Sequence, residues 1–152
     1  MAEIRVMAEG PVGAPAERVY SYIADFEKHH PRFLPPAFQN FRVESGGVGA
    51  GTEVSFDMKI GGRVRSGRMR AAEPAPGRVM TESDVNSSLV TTWTVTPEGE
   101  NSRVRIETVW LGGRGIGGLM ERLFAPRVLR NLYKDELKRL DRYAREQSAG
   151  GT

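Results

Sequence analysis

The 152-residue sequence contains no cysteine, only two histidines and no long apolar run. Without cysteine the chain can form no disulfide, no thiolate zinc site and no cysteine nucleophile. His29 and His30 are adjacent and point in different directions on a helix, so they make a poor chelating pair. We therefore expect no metal site. No stretch approaches the roughly 20 apolar residues that a membrane-spanning helix needs.

The two glycine-rich segments lack the features of phosphate-binding loops. Residues 46–51 lack the Gly-Lys-Ser/Thr ending and lie between two predicted strands. Residues 112–118 precede a helix, whose amides could bind an anion, but they lack the strand–helix–strand context of a dinucleotide site. A flexible hinge between strand and helix is the preferred interpretation of residues 112–118, and we expect no cofactor.

The net charge of +3 is unevenly distributed. Residues 114–146 contain nine basic and five acidic side chains, whereas the rest of the chain is almost neutral. A basic face can attract nucleic acid or anionic lipid. Acidic residues interleaved with the basic ones weaken the positive electrostatic field, so we favour the interpretation that this segment is a solvent-exposed helix face. We expect no nucleic-acid partner, while peripheral membrane contact stays open. The start of the chain is unlike a signal peptide, so we expect a cytoplasmic protein, as a monomer or homodimer.

Hydrophobic periodicity predicts one strand, two short helices, six strands and a long helix. Residues 3–9 form the first strand, which Gly10-Pro11 ends. Pro15 opens the first helix, and residues 25–32 form a second short helix or turn that the following prolines stop. The other strands are predicted at 38–44, 53–60, 63–73, 79–84, 89–96 and 103–111.

A long apolar stripe from Leu119 to Ala144 predicts the last helix. Pro126 lies inside this stripe and either kinks the helix or marks its true start. The simplest arrangement is an α+β fold in which a curved, seven-stranded antiparallel sheet wraps around the C-terminal helix. We assign residues 1–147 to a single domain and residues 148–152 to a flexible tail.

The order of elements and several segments resemble the polyketide cyclase/dehydrase-like branch of the START-like, birch-pollen-allergen superfamily. The resemblance covers nearly the whole chain, and it implies the helix-grip fold, with no catalytic motif among the matching residues. The segments that carry it are residues 14–20 (APAERVY), 23–25 (IAD), 33–35 (FLP), 48–52 (VGAGT), 61–63 (GGR) and 73–78 (EPAPGR).

Members of this superfamily bind hydrophobic small molecules, such as lipids, sterols, hormones, polyketides or quinones, between sheet and helix. A minority catalyse cyclisation or dehydration of polyketides. The resemblance therefore implies binding of a hydrophobic small molecule as the leading function. A polyketide cyclase or dehydratase that uses the same cavity is the alternative.

Hairpin register predicts which side chains face that cavity. A two-residue turn at Gly61-Gly62 pairs Met58 with Arg65 and Phe56 with Gly67, and directly opposed residues share a face. Arg65 then lies on the apolar face near the hairpin tip, and the resemblance implies that this hairpin gates the pocket. Arg65 either binds a carboxylate or phenolate of the ligand or extends to solvent.

A second turn near Asn86-Ser87 pairs Glu82 with Thr91, which points both into the cavity. A buried carboxylate needs a partner, and we hypothesise that Arg65 supplies it. A longer loop would instead shift the register and turn Glu82 outward. If the protein is an enzyme, Glu82 is the candidate general acid or base, and Arg65 is the candidate for stabilising an enolate.

The full set of predicted ligand-binding residues combines these register positions with aromatic and apolar side chains of the first helices, the last strand and the last helix. Such a lining suits a hydrophobic ligand. The set is Phe33, Phe56, Met58, Arg65, Met69, Met80, Glu82, Thr91, Trp93, Ile106, Trp110, Phe124 and Val128.

Overall fold

The computed structural model describes residues 3–60, 62–113 and 115–150, without the side chains of residues 115–124 and 150. A single antiparallel sheet holds all seven strands and runs in the order β1-β7-β6-β5-β4-β3-β2. Its strands are β1 (Glu3–Val12), β2 (Phe38–Ser45), β3 (Glu53–Ile60), β4 (Arg63–Ala75), β5 (Val79–Asp84), β6 (Val90–Glu98) and β7 (Asn101–Leu111). The helices are α1 (Ala16–Ala24), the 3₁₀ helix η1 (His30–Phe33) and α2 (Gly115–Gly150). The helix-grip fold is therefore confirmed.

Two boundaries near the N-terminus differ from the sequence prediction. β1 does not end at Gly10-Pro11 but continues to Val12, where it still pairs with β7. A proline is tolerated here because β1 is an edge strand, so its missing N–H interrupts no second ladder. The second short helix is a single 3₁₀ turn at His30–Phe33, shorter than the predicted 25–32.

Helix α2 is longer than predicted at both ends. It begins at Gly115, so the last four residues of segment 112–118 are helical, and Pro126 lies inside the helix rather than at its start. It ends at Gly150, so residues 148–150 of the predicted flexible tail belong to the helix. Ser148 Oγ accepts a 2.8 Å hydrogen bond from Arg18.

The core lies between the concave face of the sheet and the two helices. Alternate residues of β6 and β7 are buried, as the period of two predicts, among them Trp93, Val104 and Ile106. Helix α1 closes one end of the sheet with Val19 and Ile23, which are both fully buried. Because this closed end is filled by side chains, the open space of the fold lies toward the opposite end.

Candidate functional site

An open-mouthed cavity of about 1620 Å³ lies between the sheet and α2. Its volume exceeds the few hundred to about 1,000 Å³ of typical small-molecule pockets. Aromatic and aliphatic side chains dominate its lining, including Phe38, Phe41 and Phe56 from β2 and β3 and Leu129 from α2. Within the described residues, the fold therefore encloses a space large enough for an extended or polycyclic molecule.

The predicted register of the β3–β4 hairpin is confirmed. Met58 pairs with Arg65 and Phe56 with Gly67, and Gly62 has the positive φ of 79° that the tight turn requires. Gly61 lies outside the described residues. A Cβ at Gly67 would lie only 3.0 Å from Cζ of Phe56, so the glycine makes room for that ring. The hairpin thus presents the Phe56 ring to the cavity below a tip that carries Arg63 and Arg65.

The predicted register of the β5–β6 hairpin is also confirmed, because Glu82 pairs with Thr91 and Met80 with Trp93. Glu82 is only 9% exposed and borders the cavity. The alternative of a shifted register with an outward Glu82 is therefore wrong.

The expected ion pair between Arg65 and Glu82 is absent from the described part of the chain. Glu82 lies opposite Ala71 on β4, and Arg65 is six residues further along that strand. At about 3.3 Å per residue, that separation is roughly 20 Å. Arg65 instead lies exposed at the cavity mouth, while the partner of Glu82 is Trp93, whose Nε1 donates a 2.8 Å hydrogen bond to Oε2. Two inward-facing residues on neighbouring strands need not share a level of the sheet.

A chain of hydroxyl groups lies at the level of Glu82. Thr91 on β6 pairs with Thr108 on β7, and their Oγ1 atoms are 2.7 Å apart. The Tyr133 hydroxyl of α2 lies 2.5 Å from Oγ1 of Thr108. Burial raises the pKa of Tyr133 to about 12, so this hydroxyl keeps its proton. The deep end of the cavity therefore carries polar groups beneath apolar walls.

Glu136 is a cavity residue that the sequence-based reasoning missed. It is 3% exposed, borders the cavity and lies one helical turn after Tyr133. Burial, and then repulsion by Glu82, raise the pKa of Glu136 well above its usual value. A signal was present in the sequence, because position 136 falls on the buried stripe that includes Tyr133 and Leu140, where a glutamate is unexpected.

His30 also reaches the deep end of the cavity. Its Nδ1 lies 2.7 Å from the carbonyl oxygen of Ile23, which can only accept, so Nδ1 carries a hydrogen. Its Nε2 lies 3.9 Å from Oε2 of Glu136. The ring is 2% exposed and stacks on Phe26. His30 is therefore a buried, oriented imidazole with one nitrogen toward a carboxyl group.

Most predicted ligand-binding side chains border the cavity, and whether they contact a ligand remains a prediction. Phe33 and Met80 do not border the cavity, because both side chains are fully buried in the core. Phe33 packs against the ring of Trp93, and Met80 lies two residues before Glu82 on β5. The side chain of Phe124 lies outside the described residues. The predicted residues that border the cavity are Phe56, Met58, Arg65, Met69, Glu82, Thr91, Trp93, Ile106, Trp110 and Val128.

The arrangement supplies carboxyl groups, hydroxyls and an imidazole that could bind polar atoms or transfer protons. In the described ranges, no three His, Asp or Glu side chains are grouped so that they could hold a metal ion. None of the helices that the structure describes is long and apolar enough to cross a membrane.

Solved structures resemble this fold along nearly its whole length. The KanY protein, solved by NMR, is 30% identical, with a TM-score of 0.84 over 95% of this chain and 99% of its own. A protein from Thermus thermophilus is 20% identical, with a TM-score of 0.81 over 97% and 99% of the two chains. The Zhui aromatase/cyclase from a Streptomyces species is 16% identical, with a TM-score of 0.81 over 99% and 100%. No curated protein sequence matches the chain.

A family model described as polyketide cyclase / dehydrase and lipid transport matches residues 3–145. The match covers almost every strand and helix, from β1 through most of α2. The fold, the position of the cavity and this match agree, and the chain therefore belongs to the polyketide cyclase/dehydrase and lipid transport family.

Proposed function

We propose that this protein binds a hydrophobic small molecule in the cavity between the sheet and α2. The observation that carries the proposal is the cavity itself, about 1620 Å³ in volume and lined mainly by aromatic and aliphatic side chains. Apolar ligands gain free energy in proportion to the apolar area they remove from water, and a lining of this kind provides that area.

The mouth of the cavity has the features of an entry site. Val64 at the tip of the β3–β4 hairpin, Leu111 at the end of β7 and Val128 on α2 all border the cavity and are 40% or more exposed. Arg63 and Arg65 stand beside these residues on β4. An apolar rim with nearby cations suits a molecule with an apolar body and a polar or anionic end that stays near solvent.

Titration with N-phenyl-1-naphthylamine tests the proposal, because this neutral dye fluoresces strongly only in an apolar environment. We expect saturable binding that Val128→Trp weakens, since the larger side chain narrows the mouth. Arg127→Trp is the matched control: Arg127 is the exposed neighbour on the same helix and does not border the cavity. Absence of saturable binding, or equal losses in both variants, would argue against this cavity as the binding site.

The polar deep end supports a second candidate function, dehydration of a polyketide-like β-hydroxyketone. Glu82 would remove a proton from the carbon atom that lies between the carbonyl carbon and the hydroxyl-bearing carbon. The electron pair of the broken C–H bond would form the new C=C bond. The C–O bond would break, and Glu136 would supply the proton with which the hydroxyl leaves as water. The raised pKa of Glu136, caused first by burial, keeps a proton available for this step.

Conversion of 4-hydroxy-4-phenylbutan-2-one to the conjugated enone tests the second function by absorbance. We expect Glu82→Gln and Glu136→Gln each to lower the rate by about a hundredfold or more while dye binding persists. No conversion above buffer by the parent protein, despite saturable dye binding, would leave ligand binding as the function and reject this reaction.

A further inference from the structure

The Glu136 carboxyl group offers a polar contact that the protein itself does not use. The side chain is 3% exposed and borders the cavity from α2. Among the described residues its carboxyl group makes no hydrogen bond, and Nε2 of His30 lies 3.9 Å from its Oε2, beyond hydrogen-bond distance. No fully buried side-chain oxygen or nitrogen in the described part of the chain lacks a partner, so the carboxyl oxygens of Glu136 are open to the cavity, where a ligand can contact them.

The groups around Glu136 decide its protonation state. Glu82 faces it from β5 and already accepts a hydrogen bond from Trp93. His30 faces it from η1, and Tyr133 and Asp135 lie on α2 itself. Two neighbouring carboxyl groups ionise together only at high cost, and Glu136 is the one without a donor.

The remaining alternative is an ion pair between Glu136 and a protonated His30. Charge-assisted hydrogen bonds measure about 2.7–2.9 Å, whereas the His30 and Glu136 atoms are 3.9 Å apart. Two charges on buried side chains that lack close contact are also unfavourable. Burial and the nearby Glu82 raise the pKa of Glu136 well above its usual value, which favours the neutral acid, and the neutral acid can donate one hydrogen bond into the cavity.

We propose that the ligand of this cavity is an apolar molecule with an uncharged carbonyl oxygen, as in a ketone, quinone or ester, at its buried end, where it accepts a hydrogen bond from the Glu136 carboxylic acid. This inference rests on the proposed binding function. A carboxylate at the same place would add a negative charge beside Glu82 and is disfavoured. An anionic group, where the ligand has one, belongs at the mouth beside Arg63 and Arg65.

The test compares two probes of matched size, 2-acetylanthracene with a carbonyl oxygen and 2-ethylanthracene without one. Their absorption overlaps tryptophan emission, and both tryptophans of the chain, Trp93 and Trp110, border the cavity. Quenching of tryptophan fluorescence therefore reports binding of either probe. The variants are Glu136→Leu, which removes the donor, and Glu136→Gln, whose amide still donates.

We expect Glu136→Leu to weaken binding of 2-acetylanthracene relative to 2-ethylanthracene by roughly tenfold, which is the usual effect of one lost hydrogen bond. Glu136→Gln should keep most of the parent's preference. If the parent binds both probes and Glu136→Leu leaves their ratio unchanged, the inference about the ligand is wrong while the binding function stands. If the parent binds neither probe, the proposed function fails and this inference fails with it.

Discussion

Trp93 Nε1 donates a 2.8 Å hydrogen bond to Oε2 of Glu82 on the neighbouring strand, inside the cavity wall. The indole ring is 2% exposed, so the bond is shielded from water and fixes the carboxyl group in place. Glu136, which shares the cavity, has no such donor. The two carboxyl groups therefore differ in role: Glu82 accepts a hydrogen bond within the protein, whereas Glu136 can donate one to a ligand.

Trp93→Phe should destabilise the protein by about 1–3 kcal/mol, because it removes the donor and leaves a buried carboxyl group without its partner. Trp93→Ala should cost more, about 3–5 kcal/mol, since it also leaves a cavity in the core. Urea denaturation of both variants measures these values. In a Glu82→Leu background the cost of Trp93→Phe should shrink, because no carboxyl group is then left unpaired. An equal cost in both backgrounds would show that the hydrogen bond is not the cause.

Glu136 should make the stability of the protein depend on pH. Its folded-state pKa is raised, first by burial, so above about pH 4.3 the folded state keeps a proton that the unfolded state has released. The unfolding free energy of the parent should therefore fall relative to that of Glu136→Gln as pH rises from that value through the folded-state pKa.

Urea denaturation at a series of pH values tests this dependence. Glu146→Gln is the matched control, because Glu146 is an exposed carboxylate on the same helix and does not border the cavity. We expect its profile to follow that of the parent. Parallel profiles for the parent and Glu136→Gln would contradict the assignment of Glu136 as a buried neutral acid.

Arg65→Ala should weaken binding of anionic ligands selectively. Affinity for 8-anilinonaphthalene-1-sulfonate should fall about two- to fivefold, the effect of one exposed charge, while affinity for neutral N-phenyl-1-naphthylamine should hardly change. Arg68→Ala is the control, because Arg68 lies on the outer face of the same strand beside Glu53. Fluorescence titration measures the affinity of each variant for each of the two dyes. Equal effects of both variants would show that Arg65 has no special role at the mouth.

Tyr133→Phe should cost about 1 kcal/mol of stability, because its hydroxyl is buried and bonded to Thr108. Tyr143→Phe, ten residues later on the same helix, removes a hydroxyl that contacts His29 in a partly exposed setting and should cost less. Thermal or urea denaturation of both variants gives the comparison. The reverse order would mean that the hydroxyl chain at the deep end does not stabilise the fold.

The sequence predicts the sheet and its register well because turn chemistry and alternation act over a few residues. The glycine turn at Gly62 and the alternation of Val54, Phe56 and Met58 were enough to pair β3 with β4 correctly. The same local reasoning placed Glu82 opposite Thr91. Register along a hairpin is set by its own turn, so it needs no knowledge of the rest of the fold.

Relationships between distant elements could not be predicted in the same way. The Arg65–Glu82 pair was not such a relationship, because the β4–β5 hairpin alone places Glu82 opposite Ala71 and leaves Arg65 beyond the end of β5. Glu136 approaches Glu82 and His30 only because α2 crosses the sheet at a particular height and rotation. The polar groups at the deep end therefore come together through tertiary packing. The only local sign of them in the sequence was a glutamate at a buried position of the last helix.

Native mass spectrometry of freshly purified protein, followed by denaturing extraction, tests the central claim most directly. The account predicts a reproducible adduct of a few hundred daltons that is apolar, contains a carbonyl group and is lost or reduced in Val128→Trp but not in Arg127→Trp. A protein that carries no adduct, and that acquires none when incubated with 2-acetylanthracene, would contradict the claim that this cavity binds a hydrophobic small molecule.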